Sequence, residues 1–216
     1  EANTSRASIR FTNSLGKGHC RVEGSHTAKG HHLEYAFDLQ RVSQPSVVSI
    51  PFGPNRPLYT QKDLCRVAGS LRIDGEVLQA TEQAAAVVDD HKGFYPYRTH
   101  YDWLSVMVGG QQCFGLNLTR NQSVDQGAYN ENLVWQPGAS SALPPVTFAR
   151  NADDTVWTIR DAYDMVNLTF VVASQYHMAL NAGLIRIDYK IAFGSLFGHV
   201  RGLDGEYYVL DGLTAI

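Results

Sequence analysis

"LIRIDYKIAF", residues 184 to 193, alternates without a break: Ile185, Ile187, Tyr189, Ile191 and Phe193 share one parity, and Arg186, Asp188 and Lys190 the other. Successive side chains of a β-strand point to opposite sides, so this period of two predicts a strand with one wet face. "HHLEYAFDLQ", residues 31 to 40, repeats the pattern, with Leu33, Tyr35, Phe37 and Leu39 inward and Glu34, Asp38 and Gln40 outward. "VNLTFVV", "QCFGLNLT", "DTVWTIRD" and "EYYVLDGL" read the same way. Between these runs stand "IDGE", "VGGQ", "LDGE" and "NADD", whose Gly, Asn and Asp residues supply the backbone conformations of tight turns. Short strands at roughly ten-residue spacing predict an antiparallel all-β protein that removes its edges by closing into barrels or sandwiches.

The one helical candidate, "TEQAAAVVDD" at 81–90, is short and reads equally as a strand. Long alternating helix and strand units are absent, which excludes dinucleotide-binding and TIM-type folds. A break near residues 80 to 86 predicts two lobes, 1–85 and 86–216. "RVAGSLRIDGEVLQ" and "GSLFGHVRGLDGEYYVLDGL" echo each other across that break, each with a glycine in a strand, an Asp-Gly-Glu turn and a returning strand.

A chain of 216 residues has length enough for one full core, or for two small ones sharing an interface. Its formal net charge is -3, only 18% of residues are charged, and Lys and Arg form no run. That balance excludes a phosphate-tracking surface, so no nucleic-acid partner is expected. No stretch approaches eighteen apolar residues, so no membrane span is expected. Cys20, Cys65 and Cys113 lie far apart and read as buried free thiols. N-x-S/T triplets at Asn3, Asn117, Asn121 and Asn167 admit secretion, but no signal segment precedes them. The compartment stays open, with the cytoplasm favoured. The start at Glu1 and the end at "LDGLTAI" read as cut edges of something longer.

Chemistry concentrates in "DDHKGFYPYRTHYDW", residues 89 to 103. If "THYDWLSVMV" is a strand, His100, Asp102, Leu104, Val106 and Val108 share one face, and Tyr101, Trp103, Ser105 and Met107 the other. Both faces are apolar beyond Trp103, so the strand is expected to be covered on both sides. A carboxylate desolvated there favours its neutral form unless a cation or hydrogen bonds offset the burial, and a neutral carboxyl is a proton donor. Arg98 is a candidate to neutralise Asp89. A second group, "GLNLTRNQSVDQGAYNENLVW", offers Asn117, Asn130, Glu131 and Asn132. Asn117, flanked by Leu116 and Leu118 within a strand, is the amide that turn chemistry does not explain. No HExxH or paired-His spacing occurs, and neither does a GxSxG elbow, so no metal, cofactor or nucleophilic serine is expected.

"VVDDHKGFYPYRTHYDW", "FGLNLTRNQ", "NENLVW", "LPPVTF", "WTIRD", "GSLFGHV" and "YYVLDGL", in this order from about residue 45 to the end, resemble the family known as domain of unknown function 2804. Asp89, Gly93, Arg98, Thr99 and Trp103 carry the match, while Tyr101 stands where that family usually shows Trp. That family is in turn similar to the lipocalin-like group containing carotenoid hydratases and tocopherol cyclase. The resemblance implies lipocalin-like antiparallel barrels in two lobes, the first incomplete for want of the family's opening hundred or so residues. It also implies a small apolar ligand, a lipid or isoprenoid. Two readings of function follow. In one, acid–base chemistry such as hydration, cyclisation or isomerisation is carried by Asp89 and Glu131, with Arg98, His100, Tyr101, Trp103, Asn117 and Asn132 binding the ligand. In the other, the chain is a non-catalytic carrier or a purely structural β domain. Oligomeric state is left open.

Overall fold

The computed structural model describes residues 2–4, 6–111 and 113–216. Ser5 of the first N-x-S/T triplet and Gln112 of "QCFGLNLT" lie outside the described residues. The protein is all-β and antiparallel. Its first sheet holds β1 (Ala2–Asn3), β2 (Ala7–Ser14), β3 (His19–Ala28), β4 (His31–Arg41), β5 (Ser46–Pro51), β6 (Pro57–Ile73), β7 (Glu76–Gln79) and β8 (Ala85–Gly93). The second holds β9 (Asp102–Val108), β10 (Phe114–Arg120), β11 (Leu133–Gln136) and β12 (Ala139–Ala142). The third holds β13 (Thr147–Arg150), β14 (Val156–Arg160), β15 (Val166–Ala182), β16 (Ile185–Arg201) and β17 (Tyr207–Ala215). "TEQAAAVVDD" resolves into a turn followed by β8, and the helical content among the described residues is a single 3-10 turn at Leu15–Lys17.

The first sheet runs β1-β2-β3-β4-β6-β5, with β7 and β8 on the other side of β6, and it curls into a half-barrel. Its organising strand is β6, long enough to take two partners on each edge. One edge pairs with β5 and then β4; the opposite edge pairs with β8 and then β7. In its middle Lys62, Asp63, Leu64 and Cys65 are buried in succession, so both faces are covered there. On one face Cys65 packs with Leu15, Cys20, Leu39 and Val88. On the other, Leu64 packs with Cys113, Leu133 and Trp135 from the second sheet. Each large apolar side chain wholly withdrawn from water in this way contributes about 1.5–3 kcal/mol.

The second and third sheets meet at a backbone seam. Ser105 N donates to Ile216 O at 2.7 Å, and Ile216 N donates back to Ser105 O at 3.1 Å. A continuous apolar cluster spans them, with Leu104, Val106, Leu116 and Leu118 against Ile159, Leu168, Phe170 and Leu196. The expectation that "LSVMV" is covered on both sides holds: Leu104 and Val106 face this cluster, and Met107 packs toward the first sheet.

"LIRIDYKIAF" is a strand, as its alternation predicts, but its apolar face is not the core face. The buried residues of β16 are Ala192, Gly194, Leu196 and Val200, all of even parity. Ile185, Ile187 and Phe193, of odd parity, are 59%, 37% and 47% exposed. The reason is reach: β15 and β16 continue as a two-stranded arm past the strands that cover the core, and residues 173 to 188 are all exposed.

Candidate functional site

The site forms where the first sheet faces the second. Leu58, Thr60, Lys62 and Leu64 alternate onto one face of β6, and the β8 residues opposite the last three are His91, Asp89 and Val87. From the second sheet come Trp103 and Thr119, paired with each other, and Asn117, paired with Ser105. The space between is apolar at the Leu64 end and polar from Lys62 onward.

Lys62 lies at the centre, with its side chain 2% exposed. Its ammonium sits 2.5 Å from Asp89 Oδ2 and 3.3 Å from Glu131 Oε2. It also lies 5.2 Å from the centroid of the Trp103 ring. Thr60 Oγ1 donates to Asp89 Oδ1 at 2.8 Å, and Asn121 Nδ2 donates to Glu131 Oε1 at 2.9 Å. An ammonium withdrawn from water loses several kcal/mol of hydration, which close carboxylates and a ring face offset in part.

Amides hold this group in place. Trp103 Nε1 donates to Asn117 Oδ1 and Asn117 Nδ2 donates to Glu131 O, each at 2.7 Å. Asn117 is fully buried, and it joins the ring beneath the ammonium to the backbone of one carboxylate. Asn132 acts one step further out: its Oδ1 accepts from Thr119 N at 2.7 Å and its Nδ2 donates to Pro144 O at 2.8 Å.

A cavity of about 330 Å³ opens over these groups, walled by Phe52, Leu58, Tyr95, Tyr101 and Trp103, with Lys62, Asp89 and Glu131 among its polar lining. Burial pushes the Tyr95 phenol up, and the charges of Glu131 and Asp89 add to the shift. A second cavity of about 840 Å³ lies on the far side of Tyr101 and Trp103, toward the arm. Its charged lining includes Asp102, Arg150 and Lys190. Burial likewise raises the Tyr101 phenol, followed by its interaction with Tyr189 of the arm. Asp102 is paired with Arg120 at 2.5 Å and with Arg150, whose guanidinium lies 4.1 Å from the centroid of Trp157.

Of the residues singled out in the sequence, Asp89, Glu131, His100, Tyr101 and Trp103 line the smaller cavity. Asn117 and Asn132 stand behind its wall. Arg98 is exposed, lines neither cavity and makes no ion pair among the described residues. The cation at Asp89 is Lys62, which the sequence reading passed over. Its signal was there: in "LYTQKDLC" a lysine occupies the parity of Leu58 and Leu64, an inward position for a charge. Among the described residues no three His, Cys, Asp or Glu side chains converge as a metal would require. Among the described residues no helix is long and apolar enough to cross a membrane.

A family model described as a domain of unknown function (DUF2804) matches residues 1–216. The chain belongs to the DUF2804 family. The match takes in the residues before 45, so the β1–β4 region of this DUF2804 chain is part of the family pattern as much as the segment around Asp89. No curated protein and no solved structure matches it.

Proposed function

We propose that this DUF2804 chain binds a small, largely apolar ligand, of lipid or isoprenoid type, in the 330 Å³ cavity and acts on it by acid–base chemistry. One observation carries the reading: a buried ammonium bridged to two carboxylates edges a cavity with aromatic walls. A carrier for apolar molecules has no need of ionised groups in its lining, whereas hydration, cyclisation or isomerisation of an alkene needs a proton delivered at one carbon and removed at another. Asp89 and Glu131 are the groups for those two transfers: the proton that Asp89 hands on is drawn from the Lys62 ammonium at 2.5 Å, and the proton that Glu131 removes returns to Lys62 at 3.3 Å, so both carboxylates rest ionised. Trp103, Tyr95 and Tyr101 supply the ring faces that stabilise a developing carbocation and keep water from it. The resemblance read in the sequence motifs, of this family to carotenoid hydratases and tocopherol cyclase, is in keeping with that reading.

One feature favours a non-catalytic carrier instead. Both oxygens of Asp89 already accept, one from Lys62 and one from Thr60, as in an anchored carboxylate. Native mass spectrometry of the protein incubated with a total lipid extract tests the shared part of both readings. An apolar adduct is expected, and it should vanish in Thr99→Trp, where an exposed cavity-lining residue is enlarged to fill the space. Absence of any adduct overturns ligand binding altogether. Asp89→Asn separates the two readings: an adduct retained but no longer converted supports catalysis, and unchanged conversion removes Asp89 from it.

A further inference from the structure

Resting on the reading of the smaller cavity as a ligand site, we propose that it selects ligands whose polar end is an ammonium group. The charge count comes first. Lys62 is one cation facing two carboxylates, Asp89 and Glu131, and the other titratable groups around the cavity are Tyr95, Tyr101, His100 and His91, whose Nδ1 lies 3.8 Å from Asp89 Oδ1. With the imidazoles neutral, the pocket carries one excess negative charge.

The two carboxylates are not equally committed. Asp89 Oδ2 meets Lys62 at 2.5 Å, whereas Glu131 Oε2 stands 3.3 Å from it, a looser contact that leaves that carboxylate able to take a second cation. Next to it Thr119, only 7% exposed, lines the cavity with an Oγ1 that is buried and has no hydrogen-bond partner among the described residues. A hydroxyl sealed from water without a partner is destabilising, and a ligand N–H group would satisfy it. The walls suit the same head group. Trp103 already has one ammonium over its ring, and Phe52 and Tyr95 present a tilted ring pair with centroids 5.7 Å apart. A carboxylate or phosphate head would instead meet Glu131 as a like charge, which costs binding free energy.

Isothermal titration calorimetry at neutral pH with three probes sharing one tail, octylamine, 1-octanol and octanoate, tests this. Octylamine is expected to bind at least about tenfold more tightly than octanol, with octanoate weakest. Glu131→Gln should shrink the amine preference over octanol to less than about threefold. Thr119→Val removes the hydroxyl at nearly constant volume. It should weaken octylamine without lowering the melting temperature, so the test survives if Glu131→Gln fails to fold. Equal binding of the three probes, or octanoate in first place, overturns the ammonium preference and leaves the apolar site standing. No binding by any of them overturns both.

Discussion

Two strands of seventeen residues, β6 and β16, are built alike and used differently. Each bends at a glycine with positive φ, Gly69 at 125° and Gly198 at 118°. At each, an added Cβ would lie 2.0 Å from a carbonyl oxygen of the neighbouring strand, that of Ala36 or of Asn167. Each strand is followed by an Asp-Gly-Glu turn, at 74–76 and at 204–206. The difference is cover. The middle of β6 is covered on both faces, and a lysine in its inward phase became the centre of a buried charge group. The first half of β16 has no such cover, and its lysine, Lys190, reaches Asp154 with a side chain 44% exposed. Alternation makes a strand; the layer packed on it decides whether a charge there is a surface detail or a site.

The strongest way to break this comparison is Lys62→Met, which leaves a buried carboxylate, Glu131, and a half-buried one, Asp89, without their cation. A loss of about 3–5 kcal/mol is expected in denaturant unfolding, against less than about 0.5 kcal/mol for Lys190→Met on the exposed arm. Gly69→Ala and Gly198→Ala should be equally damaging, each by about 3 kcal/mol, because both combine a backbone conformation reserved for glycine with a clash against backbone. A large inequality would show that only one of the two bends is held rigidly.

High pH probes the buried side of β6. Burial, ahead of the neighbouring Cys20 and Asp63, pushes the Cys65 thiol up from 9.0 to about 12. The folded value lies above the unfolded one, so the neutral thiol's contribution is intact below pH 9 and is lost as pH rises toward 12. Unfolding midpoints measured across that window should fall, and more so than in Cys65→Ala. Alkylation of Cys65 at pH 8 should likewise be far slower than in urea. The smallest effect belongs to Ile187→Ser on the arm, within about 0.5 kcal/mol of zero by thermal melting. A larger loss would mean that the odd face of β16 is covered after all.

The strand character of nearly the whole chain was legible, because period-two alternation is local. What alternation does not encode is which sheet covers which face. In "LIRIDYKIAF" the larger side chains occupy the odd positions, yet the core takes the smaller Ala192 and Gly194 and leaves Ile185 and Ile187 out. The candidate site was legible in part. Asp89, Tyr101 and Trp103 lie close in sequence and line one cavity, and Glu131 reaches it from the segment just before β11, which pairs with β10. Lys62 was not, because its contact with Asp89 depends on the register between β6 and β8, set by residues 27 positions apart. Arg98 offered a nearer cation in sequence, but it sits on the exposed segment between β8 and β9.

The seam between Ser105 and Ile216 also bears on how the protein is made. Its two bonds join strands more than a hundred residues apart, so β9 emerges from the ribosome long before its partner edge exists. At about 5–20 residues per second, that edge waits on the order of 5–20 s with donors and acceptors open to other chains. Yield in cells should therefore depend on holding residues 102–108 apart from their neighbours during synthesis, and slower translation downstream of them should cost soluble protein.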